Sequence, residues 1–429
     1  MAAALASLDI AIANTALPGI AAAVNASPAD SIWVVNAYQL AVVAVLLALA
    51  ALGDRIGARR VYLAGMAMFV VASLGCALAG TLATLAAARA VQGVGAGALM
   101  AVNIALVRMI YPAERLGRGV GLNALVVGVG FSVGPTIASL VLAVASWPWL
   151  FAINVPLGGL SFALAWQALP TSAARGQRVD PLTALLTAIT FASLIFALSA
   201  AAQREPWPLV ALSLAGALVA GALLLRRQAG DPAPMLPVDL LRRPLFALSA
   251  LTSTSSFAAQ GLAFVALPFY FEGVLHRDPV ETGFLISPWP IVVALIAPVA
   301  GRLSDRYPSG ALGGGGLAVL SAGLASLAWL PADPSVADIA VRMAVCGAGF
   351  GFFQSPNLHA LMSSAPPERS GGASGVIAIA RLIGQTTGAA LVALCFGLAG
   401  LAGATWALGL AAAFAAFASA VSTARLWAR

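Results

Sequence analysis

Apolar residues fill this chain in long blocks rather than in amphipathic stripes. Predominantly apolar runs fall at about 3–23, 31–52, 61–80, 83–108, 118–143, 148–169, 182–202, 207–225, 245–271, 282–301, 311–330, 336–362, 372–396 and 402–424. Each is close to the ~20 residues a helix needs to cross the hydrocarbon core of a bilayer. In lipid the backbone must satisfy its own hydrogen bonds, so such runs predict helices. The alternation of polar and apolar positions that a membrane barrel requires is missing. The pattern predicts an all-α membrane protein with fourteen transmembrane helices.

Composition sharpens this picture. Of 429 residues, 61% are hydrophobic and 9% are charged, against about 25% charged in an average soluble domain. That excludes a soluble globular enzyme. The formal net charge of +7 raises the question of nucleic acid, but all 22 basic residues are arginines, and most lie in short clusters between apolar runs. No basic stripe with interleaved aromatics exists, so no nucleic-acid partner is expected. With the N-terminus placed in the cytoplasm, Arg204 and Arg277 fall on the opposite side and Arg89, Arg342 and Arg381 lie inside runs. Every other arginine then falls in a cytoplasmic turn or at the C-terminus. This positive-inside bias puts both termini in the cytoplasm. Cys76, Cys346 and Cys395 sit within apolar runs, so neither a metal site nor a disulfide framework is expected. The first run lacks a basic leader and carries an acid, so it reads as a first span rather than a signal peptide.

The chain also repeats itself. ALP at 16–18 recurs at 266–268, Asp54-Arg55 recurs as Asp305-Arg306, and Arg89 recurs as Arg342. Pro112-Ala-Glu114-Arg115 recurs as Pro366-Pro-Glu368-Arg369. Anchors at nearly one spacing imply two homologous six-helix halves with two further helices between them. The expected organisation is residues 1–169 as one bundle, 170–244 as the inserted pair with a linker, and 245–429 as the second bundle. Parallel six-helix repeats around a central site are a transporter architecture.

Several motifs carry candidate chemistry. In LDIAIANTALP (8–18), Asp9 is an acid deep in a span and so a candidate protonation site; the alternative places it at the cytoplasmic interface. Counting back from an end near Ala22 at about 1.5 Å per residue, Asp9 lies ~9 Å and Asn14 ~17 Å from the cytoplasmic face. By the same count Arg89 lies ~20 Å deep, level with Asn14, while Arg381 at ~6–9 Å is level with Asp9. Arg89 opens ARAVQGVGAGALM (88–100). A charge there costs roughly 2.5–3.5 kcal/mol on insertion scales, so it either faces a polar interior or snorkels to the outer interface. GVGAG and the later GAGFG (347–351) lack the strand–loop–helix context of a nucleotide loop and read as helix-packing glycines.

In ALGDRIGARRVYL (51–63), Asp54 and Arg55 mark a tight turn, with Asp54 placed to cap a helix; GRLSDRYPSG (301–310) repeats it with Asp305 and Arg306. The turn is either a topology signal or a gate. GVGFSVGPTIAS (128–139) combines Gly130 and Gly134 with Pro135, predicting a bend that either only packs or also gates. Asn14, Asn36, Gln39, Gln92, Gln260, Phe264 and Arg381 are candidate lining for a substrate cavity. The aromatics Phe257, Phe264, Phe269, Tyr270 and Phe271 form either a wall for a lipophilic cation or a lipid-facing surface. Trp33, Trp147, Trp149, Trp207 and Trp289 near run ends suggest an aromatic belt.

Together these motifs resemble the major facilitator superfamily, and within it the fourteen-helix drug:proton antiporter branch. The resemblance spans essentially the whole chain. It rests on the Asp-containing first helix, GDRIGARR after the second, RAVQGVGAG in the fourth, GVGFSVGP in the fifth and the extra central pair. Ala50 stands where the loop signature has glycine, and Ala138-Ser139 stand where the fifth-helix signature continues with a glycine pair. The resemblance implies proton coupling through Asp9 and Arg89, a gating loop at Asp54 and Arg55, and a helix bend at Gly130, Gly134 and Pro135. It implies multidrug efflux by alternating access, from a monomer in a bacterial inner membrane, with drug-like molecules and protons as partners and neither cofactor nor metal. The alternative is a proton-coupled or facilitated carrier of a metabolite. No HExxH, GxSxG or paired-aspartate motif supports an intramembrane enzyme.

Overall fold

The computed structural model describes residues 2–112, 116–170, 181–202, 205–228, 238–304, 306–331, 333–366 and 370–427. Asp305, Glu114, Arg115, Glu368 and Arg369 lie outside the described residues. Among those described, eleven stretches are long and apolar enough to cross a membrane, or twelve with a bent first pair counted as one span. One of these stretches, Gly375–Ala424, holds two helices, and a shorter apolar helix at Leu185–Ala201 adds another. Among the described residues the fold is thus all-helical, with fourteen apolar helical segments, as the apolar runs predict.

The chain forms two compact units. The first, Met1–Ala201 with Glu205–Arg227, contains α1 (Ala2–Thr15), α2 (Leu17–Ala23), α3 (Pro28–Ser31), α4 (Trp33–Ile56) and α5 (Ala58–Ala77). It continues through α6 (Leu82–Ile110), α7 (Leu116–Val144), α8 (Pro148–Ala152), α9 (Asn154–Ala168), α10 (Pro181–Ala202) and α11 (Trp207–Gln228). The second, Ala202–Arg204 with Gln228–Arg429, contains α12 (Val238–Leu241), α13 (Pro244–Phe269), α14 (Pro279–Ile286), α15 (Pro288–Leu303), α16 (Ser309–Ala328), α17 (Val336–Ser364), α18 (Ser370–Ala399) and α19 (Gly403–Ala424).

The first run is not one straight helix. α1 and α2 meet at an angle of 62°. The cause is Pro18, which has no N–H to donate and whose ring crowds the carbonyl of Asn14 four residues back. Its counterpart, Pro268, sits inside the last turn of α13 and is followed by a π-turn at Tyr270–Val274. The repeated ALP therefore marks a helix distortion in each unit. Other ends follow local chemistry. Ser27, Thr81, Asp278 and Ser335 each accept a backbone N–H from the third residue beyond, satisfying a donor that the first helical turn leaves free. The turn between α4 and α5 is closed by Gly57 at φ 101°, a conformation that favours glycine. Gly57, with no side chain, is the cap of α5; Asp54 and Arg55 lie exposed in the last turn of α4. The capping role expected of Asp54 is therefore taken by backbone.

Close helix packing repeats between the units. In unit one α6 lies between α4 and α5; in unit two α17 lies between α15 and α16. Glycines permit both approaches. A Cβ on Gly95 would stand 2.7 Å from the Phe69 nitrogen and 2.8 Å from the Gly65 carbonyl. Gly93 and Gly97 meet α4. In unit two Gly347 and Gly351 meet α15 while Gly349 meets α16. The pairing of α1 with α7 recurs as α13 with α18. Gly130 and Gly134 lie against Ala4 and Ala11, and Gly384 and Gly388 lie against Thr254 and Ala258. The inserted pair belongs to the first unit. α10 meets α4 through a hydrogen bond from Asn36 to the Ser199 hydroxyl (3.2 Å) and a tilted Trp33–Phe196 ring pair at 5.9 Å.

Arg425, expected to be a topology charge, is buried within unit two at 5% exposure. It donates to the Ser249 hydroxyl (3.0 Å) and to Asn357 Oδ1 (2.7 Å), to both oxygens of Ser422, and to the Ser309 backbone carbonyl (3.5 Å). Burial lowers its pKa to about 10, which leaves it charged at neutral pH. It ties α13, α16, α17 and α19 together. Arg425→Met removes these donors and orphans the Asn357 acceptor, so it is expected to cost about 2 kcal/mol. The check is a lower midpoint of heat unfolding in detergent, with Arg425→Lys intermediate.

Candidate functional site

The polar centre of unit one is built on Asp9 and Arg89. Both are 1% exposed, and the Arg89 guanidinium donates to Asp9 Oδ2 at 2.5 Å. The interfacial reading of Asp9 and the snorkelling reading of Arg89 both give way to this buried pair. Asp9, and not Asn14, is level with Arg89. α1 ends at Thr15, so Asp9 is about six residues, or ~9 Å, from the break, while Arg89 is about seven residues, or ~10 Å, from the start of α6. The two charges are level once the kink at Ala16 is taken into account.

Four further helices, α4, α5, α8 and α9, complete the shell. From α6, Gln92 lies one turn beyond Arg89 on the same face. Its Oε1 accepts from Arg89 at 2.6 Å, and its Nε2 donates to Asp9 Oδ1 at 2.9 Å and to Ser73 at 2.8 Å. Ser73, on α5, in turn donates to the Phe69 carbonyl at 2.7 Å. From α9, Asn154 Nδ2 donates to Asp9 Oδ1 at 2.7 Å. Arg89 also donates through Nε to the Val34 carbonyl (3.1 Å). The guanidinium carbon stands 4.2 Å from the centre of the Tyr38 ring and 5.5 Å from that of Phe151. Cys76 lies 3.6 Å from Gln92 Oε1.

This arrangement holds a carboxylate with three donors and a guanidinium that would keep two acceptors and an aromatic face without its acid. Removing both charges from water carries a desolvation cost comparable with their attraction, so the pair is a weak source of stability. The arrangement brings one acid and one base into direct contact inside the bundle. Gln92, expected to line a substrate cavity, belongs to this cluster, and Asn154, Ser73, Tyr38 and Phe151 were not assigned to it from sequence. The i, i+3 spacing of Arg89 and Gln92 was the available signal; the partners from α4, α5, α8 and α9 left none.

The remaining candidates lie apart. Asn14 is buried with its Oδ1 unpartnered, Gln39 is buried, and Asn36 is committed to Ser199. In unit two, Gln385 donates to Gln260 at 3.2 Å, and Phe264 meets Trp289 edge-on at 5.1 Å. Phe257 packs against Phe350 at 5.5 Å, and Phe269 against Phe396 at 4.9 Å. All five aromatics of the α13 region are buried, so the lipid-facing reading is corrected. Trp289 is likewise fully buried, not part of a belt, because it packs into unit two against Phe264. Arg381 is half-buried on α18. Arg342 pairs with Asp338 at 2.9 Å one turn away and with the Ser326 carbonyl. The repeat therefore does not reproduce the buried pair. The unit-two counterpart of Asp9 is Ala259, and Arg342 takes an acid from its own helix. Arg306 is exposed, and Asp305 is outside the described residues. Among the described residues no group of acids, histidines and cysteines could hold a metal.

Known proteins place this architecture. The chain is 51% identical over 424 residues to the uncharacterized transporter YebQ of Escherichia coli (strain K12), covering 98% of this chain and 93% of that one. It is 30% identical to the riboflavin transporter RibZ of Clostridioides difficile, covering 91% and 85%. It is 31% identical to the multidrug resistance protein Stp of Mycobacterium tuberculosis, covering 90% and 72%. The fold matches a crystal structure of the POT family transporter PepTSo with a TM-score of 0.73 at 14% identity, over 99% of this chain and 96% of that one. The sequence profile of the Major Facilitator Superfamily matches residues 1–389. A multi-pass helical membrane protein with these relatives is a transporter and not an enzyme, and the chain belongs to the Major Facilitator Superfamily.

Proposed function

We propose that this transporter exports lipophilic, mainly cationic, toxic compounds in exchange for protons. The observation that carries the reading is the buried Asp9–Arg89 pair. An ionisable pair inside a membrane bundle is retained for function rather than stability. A proton arriving at Asp9 neutralises the carboxylate and releases Arg89. A cationic substrate stabilises the ionised carboxylate. Proton and substrate thus favour opposite states of one group, which is the condition for exchange. The relation to Stp supports efflux.

In this reading the two bundles alternate access, with Asn14, Asn36 and Gln39 of unit one and Gln260, Phe264 and Arg381 of unit two as the proposed substrate contacts. The turns at Asp54-Arg55 and Asp305-Arg306 act as gates, and the glycine–proline segment Gly130, Gly134 and Pro135 sets the bend of α7. The protein works as a monomer in a bacterial inner membrane with both termini in the cytoplasm. The test is proton release from proteoliposomes on addition of a quaternary ammonium compound. Release that grows with the compound supports exchange; transport indifferent to the pH gradient overturns it. The relation to RibZ favours a second reading, carriage of a metabolite. Labelled riboflavin taken up by the same proteoliposomes, with no response to cations, would select it.

A further inference from the structure

Asp9 receives two side-chain amides on the same oxygen, and they are not equivalent. Gln92 is bonded at both ends: Oε1 to Arg89 (2.6 Å), Nε2 to Asp9 (2.9 Å) and Ser73 (2.8 Å). Reversing it would set oxygen against carboxylate and nitrogen against guanidinium. Asn154 is bonded at one end only. Its Nδ2 donates to Asp9 Oδ1 at 2.7 Å, and its Oδ1 is buried with no hydrogen-bond partner. Asn154 is itself 0% exposed, so no solvent serves that oxygen. A buried acceptor left unmade carries a cost, and this one sits on the amide that touches the proton site.

We propose that Asn154 is a positioning residue that follows the protonation state of Asp9 by reversing its amide. With Asp9 ionised, Asn154 Nδ2–H donates to Oδ1. When a proton binds at Oδ1, that donor would face a hydroxyl hydrogen. A half-turn about the Cβ–Cγ bond brings the free Oδ1 of Asn154 into place, and the new carboxylic O–H donates to it. One N–H···O bond is exchanged for one O–H···O bond, and no bond is lost at the far end because none was made there. Gln92 stays fixed and keeps its acceptor on Arg89, which also retains the Val34 carbonyl and the Tyr38 face. The switch thus stabilises both forms of the acid while Arg89 is released.

The titratable groups near Asp9 are Arg89 from α6, Cys76 from α5 and Tyr38 from α4. α8 and α9 carry none, and α7 carries only Arg118, three turns before the glycines that meet α1.

This inference rests on Asp9 being the proton site, and its test separates the two. Infrared difference spectra of the full chain in liposomes, titrated across pH, are expected to contain a carboxylic-acid C=O band that Asp9→Asn removes. Asn154→Leu removes the amide, and Asn154→Ser, a smaller polar change, shortens it beyond reach. In both, the band is expected to move to higher frequency as the acid loses its acceptor. Saturating transport is expected to fall about tenfold with little change in KM. An Asp9 band unmoved in both variants overturns the amide switch while leaving Asp9 as the proton site. Absence of any Asp9-dependent band overturns the proton site itself.

Discussion

Asp9→Asn is expected to abolish pH-gradient-driven transport while leaving a folded, membrane-inserted protein. Asparagine resembles the protonated acid in shape and charge, a state the transporter visits if Asp9 carries the proton. Arg89 is then left without its acid but keeps the Val34 carbonyl, Gln92 Oε1 and the Tyr38 ring. The loss of stability should therefore fall well below the roughly 3–5 kcal/mol that follows removal of one partner from an unsupported buried pair. The measurement pairs efflux in proteoliposomes with heat unfolding in detergent. Full gradient-driven efflux by this variant would remove Asp9 from the mechanism. Arg89→Leu is the informative contrast. It removes the charge partner of Asp9 while leaving the Gln92 and Asn154 amides on the carboxylate, so that variant keeps the acid but should fail to exchange.

Gly130→Ala is expected to destabilise the protein markedly through the α1–α7 contact. Its new Cβ would stand 2.6 Å from the Ala4 carbonyl oxygen and 3.1 Å from the Ala4 Cα. Both obstacles are backbone, so α1 itself must move. Overpacking of this kind costs about 1–3 kcal/mol, and here it displaces the helix that carries Asp9. Gly134→Ala should act in the same way through Ala11. Gly128→Ala provides the control, because a Cβ there has nothing within 4 Å and alanine is the better helix former. Heat unfolding should show Gly130→Ala well below wild type and Gly128→Ala equal to it or above. Equal stability of the two variants would mean that the α1–α7 contact is not tight. In unit two, Gly384→Ala should reproduce the effect, since its Cβ would meet Phe257 at 2.9 Å and the Ala258 nitrogen at 3.0 Å.

That correspondence extends the repeat beyond what could be read along the chain. ALP and Asp-Arg recur as spelled motifs. Gly130 and Gly134 recur as Gly384 and Gly388, but the neighbours differ: Pro135 becomes Ala389. Only the shared contact, α7 against α1 and α18 against α13, identifies them as equivalent. The glycines of GVGAG and GAGFG were legible as packing residues because nothing else explains glycine in the middle of a lipid-spanning helix. Which neighbour each one meets was not, since alternate glycines face different helices.

Trp289 and Arg425 went astray for a common reason. A tryptophan or an arginine near the end of an apolar run reads as an interface anchor. Trp289 instead turns inward against Phe264, and Arg425 turns back beneath Asn357 and Ser249. Position along the run gives depth, but it does not give direction around the helix axis.

The same distinction divides the whole protein. The sequence by itself determined the helical class, the fourteen spans, the two-fold repeat and the short list of charges inside the membrane, because lipid as a solvent penalises any other arrangement of so apolar a chain. The tertiary structure alone decided that Asp9 meets Arg89, that Gln92 and Asn154 share the carboxylate, and that Arg342 pairs instead with Asp338 of its own helix. Those contacts depend on helix rotation and on axial register. Helices apolar around their whole circumference carry no stripe from which rotation can be read, and a single proline kink in the first span was enough to move Asp9 into register with its partner.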